Sequence, residues 1–168
     1  GATLVYTEND AATAIDGTIT VTDADSANLA SATAQISGNY VNGEDVLACP
    51  AACGGLTASF TAATGTLSLS GSATLAVYQT ALRTVTYANT SNNPSTLART
   101  VTWIGNDGAA SSAGVTSTVN VTAVNDPPVA NPQSVTTPED TAKSITLTGS
   151  DVETASLVFT VVAQPSHG

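Results

Sequence analysis

Thr118-Val119-Asn120-Val121-Thr122-Ala123-Val124-Asn125-Asp126-Pro127-Pro128 is the stretch that decides the fold of this chain. Its first half alternates valine with polar residues, which is the period of a β-strand with one buried face. Its second half ends in paired prolines, and Pro132 follows four residues later. Proline does not fit a central strand, and paired prolines hold a stiff, extended path. The stretch therefore predicts the last strand of one β domain, followed by a linker.

The same alternation recurs upstream of this strand. About seven such runs, separated by turn residues at regular intervals, predict a β-sandwich. The alternating apolar residues are Ile19 and Val21, Ala32, Ala34 and Ile36, Leu56, Ala58 and Phe60, Leu67 and Leu69, Val85 and Tyr87, and Val101 and Trp103. The turns between them are predicted at Asp16-Gly17, Asn42-Gly43, Thr64-Gly65 and Asn106-Asp107-Gly108, where glycine or asparagine supplies the positive φ that hairpins need.

Ser72 to Leu82 departs from the alternating pattern. Leu75, Tyr78 and Leu82 have helical spacing, and Ser72 is positioned to cap the start of a helix. We predict a short helix that crosses from one sheet to the other. The alternative is a strand that ends in a loop.

The composition agrees with an all-β protein. Apolar residues make up 42% of the chain but aromatic residues only 4%, so valine, leucine, isoleucine and alanine must build the core. The net charge is −10, from 13 acidic and three basic residues. So few basic residues cannot neutralise a run of phosphates, which excludes nucleic acid as a partner, and they disfavour docking on anionic lipid. There is no apolar run of the length, about 18 residues, that membrane insertion requires.

Two cysteines lie in Cys49-Pro50-Ala51-Ala52-Cys53. The only histidine, His167, is distant in sequence, and this loop offers too few ligands for zinc. We predict a disulfide that closes a loop tip, with free thiols as the alternative. A disulfide indicates an oxidising, extracellular compartment.

The pattern restarts after the prolines, with strands predicted at Val135, at Ile145 and Leu147, and from Leu157 to Val161. About 40 residues are too few for an independent two-sheet core. We therefore divide the chain into a sandwich repeat at 1–126, a proline-rich linker at 127–132 and a partial second repeat at 133–168.

An internal repeat supports this division. Asp23-Ala24-Asp25-Ser26-Ala27-Asn28-Leu29 and Asp151-Val152-Glu153-Thr154-Ala155-Ser156-Leu157 share an acid-x-acid motif, an alanine and a core leucine at the same offsets. Glu8 and Glu139 recur upstream of them in the two halves. The acid positions recur while the residues between them vary.

These residues resemble the cadherin-like tandem repeats of large bacterial surface and secreted proteins. The resemblance is carried by Tyr6-Thr7-Glu8-Asn9-Asp10-Ala11-Ala12, Thr22-Asp23-Ala24-Asp25, Tyr78-Gln79-Thr80-Ala81-Leu82-Arg83, Val85-Thr86-Tyr87, Asn106-Asp107-Gly108, Val124 to Pro128, and Thr137 to Asp151. It implies an all-β, immunoglobulin/cadherin-like β-sandwich of about seven strands and one short helix, followed by an incomplete second sandwich repeat. The cysteine loop is not part of this pattern.

The resemblance also implies calcium, which in cadherins stiffens the junction between domains. Calcium prefers six to eight oxygen ligands, and clustered acids repel one another unless a cation is present. Carried over by position, the junction ligands are Glu8, Asn125, Asp126, Asp151 and Glu153. Asp107 is a weaker candidate, while Asp23 and Asp25 would face a preceding domain and Glu139 a following one. The proline-rich linker implies fewer ions than a cadherin junction holds, and the alternative is a set of acids that only cap turns.

No motif here assembles a catalytic site. The sequence has no Gly-x-Ser-x-Gly elbow, and no histidine lies near the cysteines in sequence. We therefore expect a non-catalytic extracellular repeat, a stalk segment in contact with neighbouring repeats of the same or identical chains. Two alternatives are a filament subunit that assembles by strand addition through the second repeat, and an accessory module of a secreted enzyme.

Overall fold

A computed structural model describes residues 1–50 and 53–163, so that His167 lies outside the described residues. The chain divides into two compact units, Gly1–Val124 and Asn125–Gly168. No helix in the described ranges has the length and apolar character that crossing a membrane requires.

Unit 1, Gly1–Val124, is a β-sandwich. One sheet has six strands in the order β1-β9-β8-β3-β6-β5, and the other has three in the order β2-β7-β4. The strands are β1 (Thr3–Thr7), β2 (Thr13–Ala14), β3 (Asn28–Gly38), β4 (Asp45–Ala48), β5 (Thr57–Thr61), β6 (Thr66–Thr74), β7 (Thr86–Asn89), β8 (Arg99–Asn106) and β9 (Val115–Thr122). The sandwich predicted from the alternating runs is confirmed.

Alternation places one face of each sheet in a common core. Ala32, Ala34 and Ile36 of β3 are buried while Gln35 between them is exposed. The core joins both sheets, since the rings of Tyr6 in β1 and Tyr87 in β7 meet edge to face with their centroids 5.1 Å apart. Edge-to-face packing suits the charge distribution of aromatic rings and fixes how the two sheets face each other.

The first and last strands of unit 1 lie side by side. β1 pairs with β9 in parallel, from Thr3 opposite Thr118 to Thr7 opposite Thr122. The Glu8 amide continues the ladder by donating to the Thr122 carbonyl at 2.9 Å. The start and the end of the unit are therefore joined by backbone hydrogen bonds.

The predicted helix is present as α1 (Leu75–Arg83), but its start differs from the prediction. Thr74 is the N-cap and its hydroxyl accepts from the Val77 amide, whereas Ser72 belongs to β6. The pairing of β6 with β3 continues past a register shift next to Ser72 as far as Thr74, so the strand ends, and the helix begins, later than the pattern predicted. Tyr78, Ala81 and Leu82 form the buried face of the helix.

The alternating segment at Ile19 and Val21 was predicted as a strand, and in the structure it belongs to no ladder. Helix α1 lies where a neighbouring strand would pair. Two of its side chains supply the hydrogen bonds instead: Arg83 Nε donates to the Ile19 carbonyl at 2.7 Å, and Gln79 Oε1 accepts from the Val21 amide at 3.1 Å. Side-chain bonds from a helix therefore replace one side of a strand ladder.

The predicted disulfide between Cys49 and Cys53 is present, with Cα atoms 5.5 Å apart. Cys53 is buried and begins a 3₁₀ turn, Cys53–Gly55, that contacts α1. Gly54 in this turn has a φ of 62°, and a Cβ there would lie 2.9 Å from Val77 Cγ1. The loop therefore packs against the helix at a position that only glycine fills without strain.

A buried network of polar groups lies beside the core. Trp103 Nε1 donates to Ser117 Oγ at 3.0 Å, and Ser117 Oγ donates to Asp16 Oδ2 at 2.7 Å. Asp16 also accepts from the Ala2 amide and from the amide and hydroxyl of Thr18. Burial raises the pKa of Asp16, but these hydrogen bonds outweigh it and hold the pKa far below its usual range.

Unit 2, Asn125–Gly168, has little regular structure in its described residues. β10 (Val129–Ala130) pairs antiparallel with β11 (Gly149–Ser150). The strands predicted at Val135, at Ile145 and Leu147, and from Leu157 to Val161 are not part of any ladder among the residues described.

Candidate metal centre

Three acids of unit 1 come together at one end of the sandwich. Asp23, Asp25 and Asp107 each place a carboxylate oxygen within 4.8 Å of the others. Asp23 and Asp25 precede β3, and Asp107 follows β8. These strands are antiparallel neighbours, with Ser31 opposite Asn106, so the start of one lies beside the end of the other. The sheet register therefore brings together acids about 80 residues apart in sequence.

Backbone amides hold two of these carboxylates in place. Asp23 Oδ1 accepts from the amides of Asp25 at 3.1 Å and Ser26 at 2.8 Å. Asp107 Oδ1 accepts from the amides of Ala109 at 2.8 Å and Ala110 at 2.7 Å. Hydrogen bonds from backbone amides to a carboxylate favour its charged form, and here they lower the pKa of both Asp23 and Asp107. The two groups are therefore held as anions.

Ser26 links the two loops, because its hydroxyl donates to Asp107 Oδ2 at 3.1 Å. Sequence reasoning did not select this residue. The signal was available, since the second copy of the motif carries a hydroxyl residue, Thr154, at the same offset.

The acid-x-acid repeat has the same local geometry in both units. In unit 2, Asp151 Oδ1 accepts from the amides of Glu153 at 3.1 Å and Thr154 at 2.7 Å, as Asp23 does from the residues two and three positions on. In both copies the first acid folds the chain back through a short turn. The repeated acid therefore has a turn-capping role, in addition to any role as a ligand.

The residues predicted at the junction are divided between the units. In unit 1, Glu8 is buried; its Oε2 accepts from the Val124 amide at 2.8 Å, and its Oε1 has no hydrogen-bond partner among the described residues. In unit 2, Glu153 Oε2 accepts from the Asp126 amide at 3.2 Å, and Asn125 Nδ2 donates to the Asp126 carbonyl at 2.9 Å. A junction site formed by Glu8, Asn125, Asp126, Asp151 and Glu153 stays a prediction.

The remaining candidates differ in setting. Asp107, the weaker junction candidate, lies with Asp23 and Asp25. Glu139 is exposed in unit 2, where its carbonyl accepts from the hydroxyl of Thr141. The ligand role of Glu139 also stays a prediction.

Three carboxylates this close repel one another, and an acidic cluster of this kind can hold a metal ion. An all-oxygen donor set suits a hard cation such as calcium or magnesium. Three carboxylates supply fewer oxygens than calcium takes up, so water or further chain would complete the coordination.

A groove of about 460 Å³ opens next to this acidic cluster. Its lining includes the three aspartates, apolar side chains such as Trp103 and Val115, and several threonine and serine residues. Sequence patterning did not predict the groove, because it depends on the gap between the 19–22 segment and the sheet.

Comparison with known proteins locates one family. The family described as Bacterial Ig domain matches residues 125–168. No curated protein and no solved structure matches the chain significantly. Residues 125–168 are therefore similar to a bacterial immunoglobulin-like domain, a kind of module typical of the non-catalytic parts of surface proteins.

Proposed function

We propose that this chain is a non-catalytic, extracellular repeat segment of a bacterial surface or secreted protein, and that calcium stabilises the acidic end of unit 1. The observation that carries the calcium site is the approach of Asp23, Asp25 and Asp107 carboxylate oxygens to within 4.8 Å of one another. Extracellular fluids supply calcium at concentrations that suit weak sites. The Cys49–Cys53 disulfide supports the same compartment.

A bound ion would stabilise unit 1 by holding two loops together. Asp23 and Asp25 lie before β3 and Asp107 after β8, so one cation would bridge the ends of two neighbouring strands. Backbone amides already hold the Asp23 and Asp107 carboxylates in place through hydrogen bonds. This reduces the conformational entropy that the two side chains would lose on binding the ion. A ligand that binds only the folded state raises the melting temperature, and its stabilisation grows with the logarithm of its concentration over Kd.

Calorimetric titration and thermal melting of the full chain test this proposal. We expect excess calcium to raise the melting temperature after chelator treatment, and Asp23→Asn or Asp107→Asn to remove the part of the rise that this site contributes. Asp140→Asn is the matched control, because Asp140 is exposed in unit 2 and outside the cluster. A melting temperature unchanged by calcium would rule out the site.

A second calcium ion at the junction belongs to the same proposal. Its support is the repeat of acid positions in the two halves of the sequence. We expect Glu8→Gln to reduce the measured stoichiometry by one ion while Asp23→Asn leaves that ion bound. A stoichiometry of one that Glu8→Gln does not change would exclude the junction ion and retain the first.

A further inference from the structure

The groove beside the acidic cluster is lined by both apolar and polar residues of unit 1. It lies between the 19–22 segment and the paired strands β8 and β9, with a volume of about 460 Å³. The apolar part of its lining includes Ile19, Val21, Leu29, Leu82, Trp103 and Val115. Val115 is 59% exposed there, although it belongs to the inward-facing series of β9 with Ser117 and Val119. Val115 is the exposed member of this set and Ile19 and Val21 are partly buried, whereas Leu29, Leu82 and Trp103 are themselves buried in the core.

One edge of the groove offers free backbone hydrogen-bonding groups. The Ile19 carbonyl and the Val21 amide are bonded to side chains of α1. Burial alternates along this segment, as it does in extended chain, where consecutive residues direct their amide and carbonyl to opposite sides. Thr20 and Thr22 therefore direct theirs away from α1, and no backbone hydrogen bond to either residue is formed among the described residues. Such an edge is a template for another strand.

The rim of the groove is acidic at one end. Asp23 and Asp25 directly follow the free edge, and Asp107 lies across from them. Both Asp23 and Asp107 are held in their charged form by backbone amides. A strand that enters the groove with a basic residue at this end would meet three carboxylates, whereas one with an acidic residue would be repelled.

We infer that this groove is a strand-acceptor site for an extended segment of a partner protein, with branched apolar side chains on one face and a lysine or arginine at the end nearest Asp23. The main chain of the segment pairs with Thr20 and Thr22, its apolar side chains fill the cavity beside Trp103, and its basic end contacts the acidic rim. Main-chain pairing supplies affinity and the alternate side chains supply specificity. This inference does not depend on the calcium proposal, although the strand and the ion would compete for the same three carboxylates.

A labelled, end-blocked peptide tests this inference. Its binding to the full chain is measured in the presence of a chelator. The peptide carries an amino-terminal lysine followed by alternating valine and threonine. We expect saturable binding by fluorescence anisotropy, weaker by about tenfold when glutamate replaces the lysine, and lost when a central proline removes a main-chain donor. We also expect the amides of Thr20 and Thr22 to become protected from hydrogen exchange on binding. No saturable binding, or equal binding of the proline peptide, would overturn the site.

Two variants with the same substitution locate the binding surface. Val115→Lys places a charge on the groove wall and repels the basic end, whereas Val5→Lys makes the same change at a residue 65% exposed on β1, which is not part of the wall. We expect Val115→Lys alone to weaken peptide binding by about tenfold or more. Equal binding of the peptide by both variants would overturn the assignment. Self-association of the chain that is lost only in Val115→Lys would also overturn it, because the occupant of the groove would then be a second copy of this chain.

Repeating the titration in excess calcium separates this inference from the calcium proposal. An ion on Asp23, Asp25 and Asp107 removes the partner of the lysine, so the affinity should fall to that of a peptide with a neutral end. If calcium does not bind, the affinity is unchanged, and the strand-acceptor site stands while the calcium proposal fails.

Discussion

The guanidinium of Arg99 lies 3.3 Å from the carboxylate of Asp45, and both side chains are fully buried. Arg99 belongs to β8 in the six-stranded sheet and Asp45 to β4 in the three-stranded sheet. The Tyr87 hydroxyl and the Asn89 amide group donate to Asp45 Oδ1 at 2.5 and 2.8 Å, and the Val41 amide donates to Oδ2 at 2.8 Å. Burial, followed by the bond to Asp45, raises the pKa of Tyr87 well above its usual range.

Asp45→Asn should destabilise the fold strongly, because it leaves the Arg99 charge buried without a counter-ion. Breaking one partner of a buried pair costs about 3–5 kcal/mol. Guanidinium unfolding at pH 7 measures the change. Glu44→Gln is the neighbouring control and should stay within about 0.5 kcal/mol of the parent chain. A loss below about 1 kcal/mol for Asp45→Asn would contradict the expected cost of the unpaired charge.

Asp16→Asn should destabilise unit 1 by about 2–3 kcal/mol at pH 7, since it weakens the bonds from Ala2, Thr18 and Ser117 to a charged acceptor. The pKa of Asp16 is lowered by folding, so its contribution is complete above the unfolded pKa of about 3.9 and is lost as the pH falls towards the folded value. Urea unfolding at a series of pH values should therefore show the two proteins converging only below about pH 4. Convergence already at pH 6 would contradict this assignment.

Thr74→Ala should cost about 1 kcal/mol, because it removes the N-cap of α1. Ser72→Ala is the matched control, since Ser72 is an exposed residue of β6 and should change stability by less than about 0.5 kcal/mol. Thermal melts of the two variants distinguish them. A larger loss from Ser72→Ala would restore the earlier start that the sequence pattern predicts for the helix.

Replacing both Cys49 and Cys53 by alanine should lower the unfolding free energy by about 2 kcal/mol, the loop-entropy value for so short a closed loop. A thiol reductant should lower the stability of the parent chain by a similar amount and leave the double variant unchanged. Chemical unfolding with and without reductant measures both effects. Sensitivity of the double variant to reductant would show that the effect has another origin.

Calcium binding at Asp23, Asp25 and Asp107 should persist to unusually low pH. A carboxylate binds the ion only when deprotonated, and the lowered pKa of Asp23 and Asp107 keeps both charged below the usual aspartate range. Calorimetric titration should detect binding down to about pH 4. Ser26→Ala removes a hydrogen bond to Asp107 and should shift the loss of binding to higher pH. Loss of binding by pH 6 in the parent chain would contradict the lowered pKa values.

The sequence predicted features that depend on local pattern. Alternation at Ala32, Ala34 and Ile36 identified β3 because a strand directs every second side chain to one face. The spacing of Leu75, Tyr78 and Leu82 identified α1 but not its cap, because the ladder between β3 and β6 determines where the strand ends.

Features that depend on long-range pairing could not be predicted. Arg99 occupies an inward position of β8, yet its burial requires an acid on the other sheet, and only the fold shows that Asp45 is that acid. In the same way, Asp107 joins Asp23 and Asp25 because β3 and β8 are neighbours, an order that composition and spacing do not contain. The 19–22 segment joins no ladder on the side of Ile19 and Val21 because α1, rather than a strand, lies there.

The parallel pairing of β1 with β9 determines how unit 1 responds to mechanical force. Thr3 begins β1 and Thr122 ends β9, so these two residues lie at opposite ends of one ladder. Tension applied between them acts along the strands and loads the hydrogen bonds from Thr3 to Thr7 together, in shear, instead of opening them one at a time. Resistance to forced unfolding depends on the unfolding rate. That rate is low when several hydrogen bonds must break together, because the activation barrier is then high. Unit 1 is thus arranged to transmit tension with its first and last strands acting as a mechanical clamp.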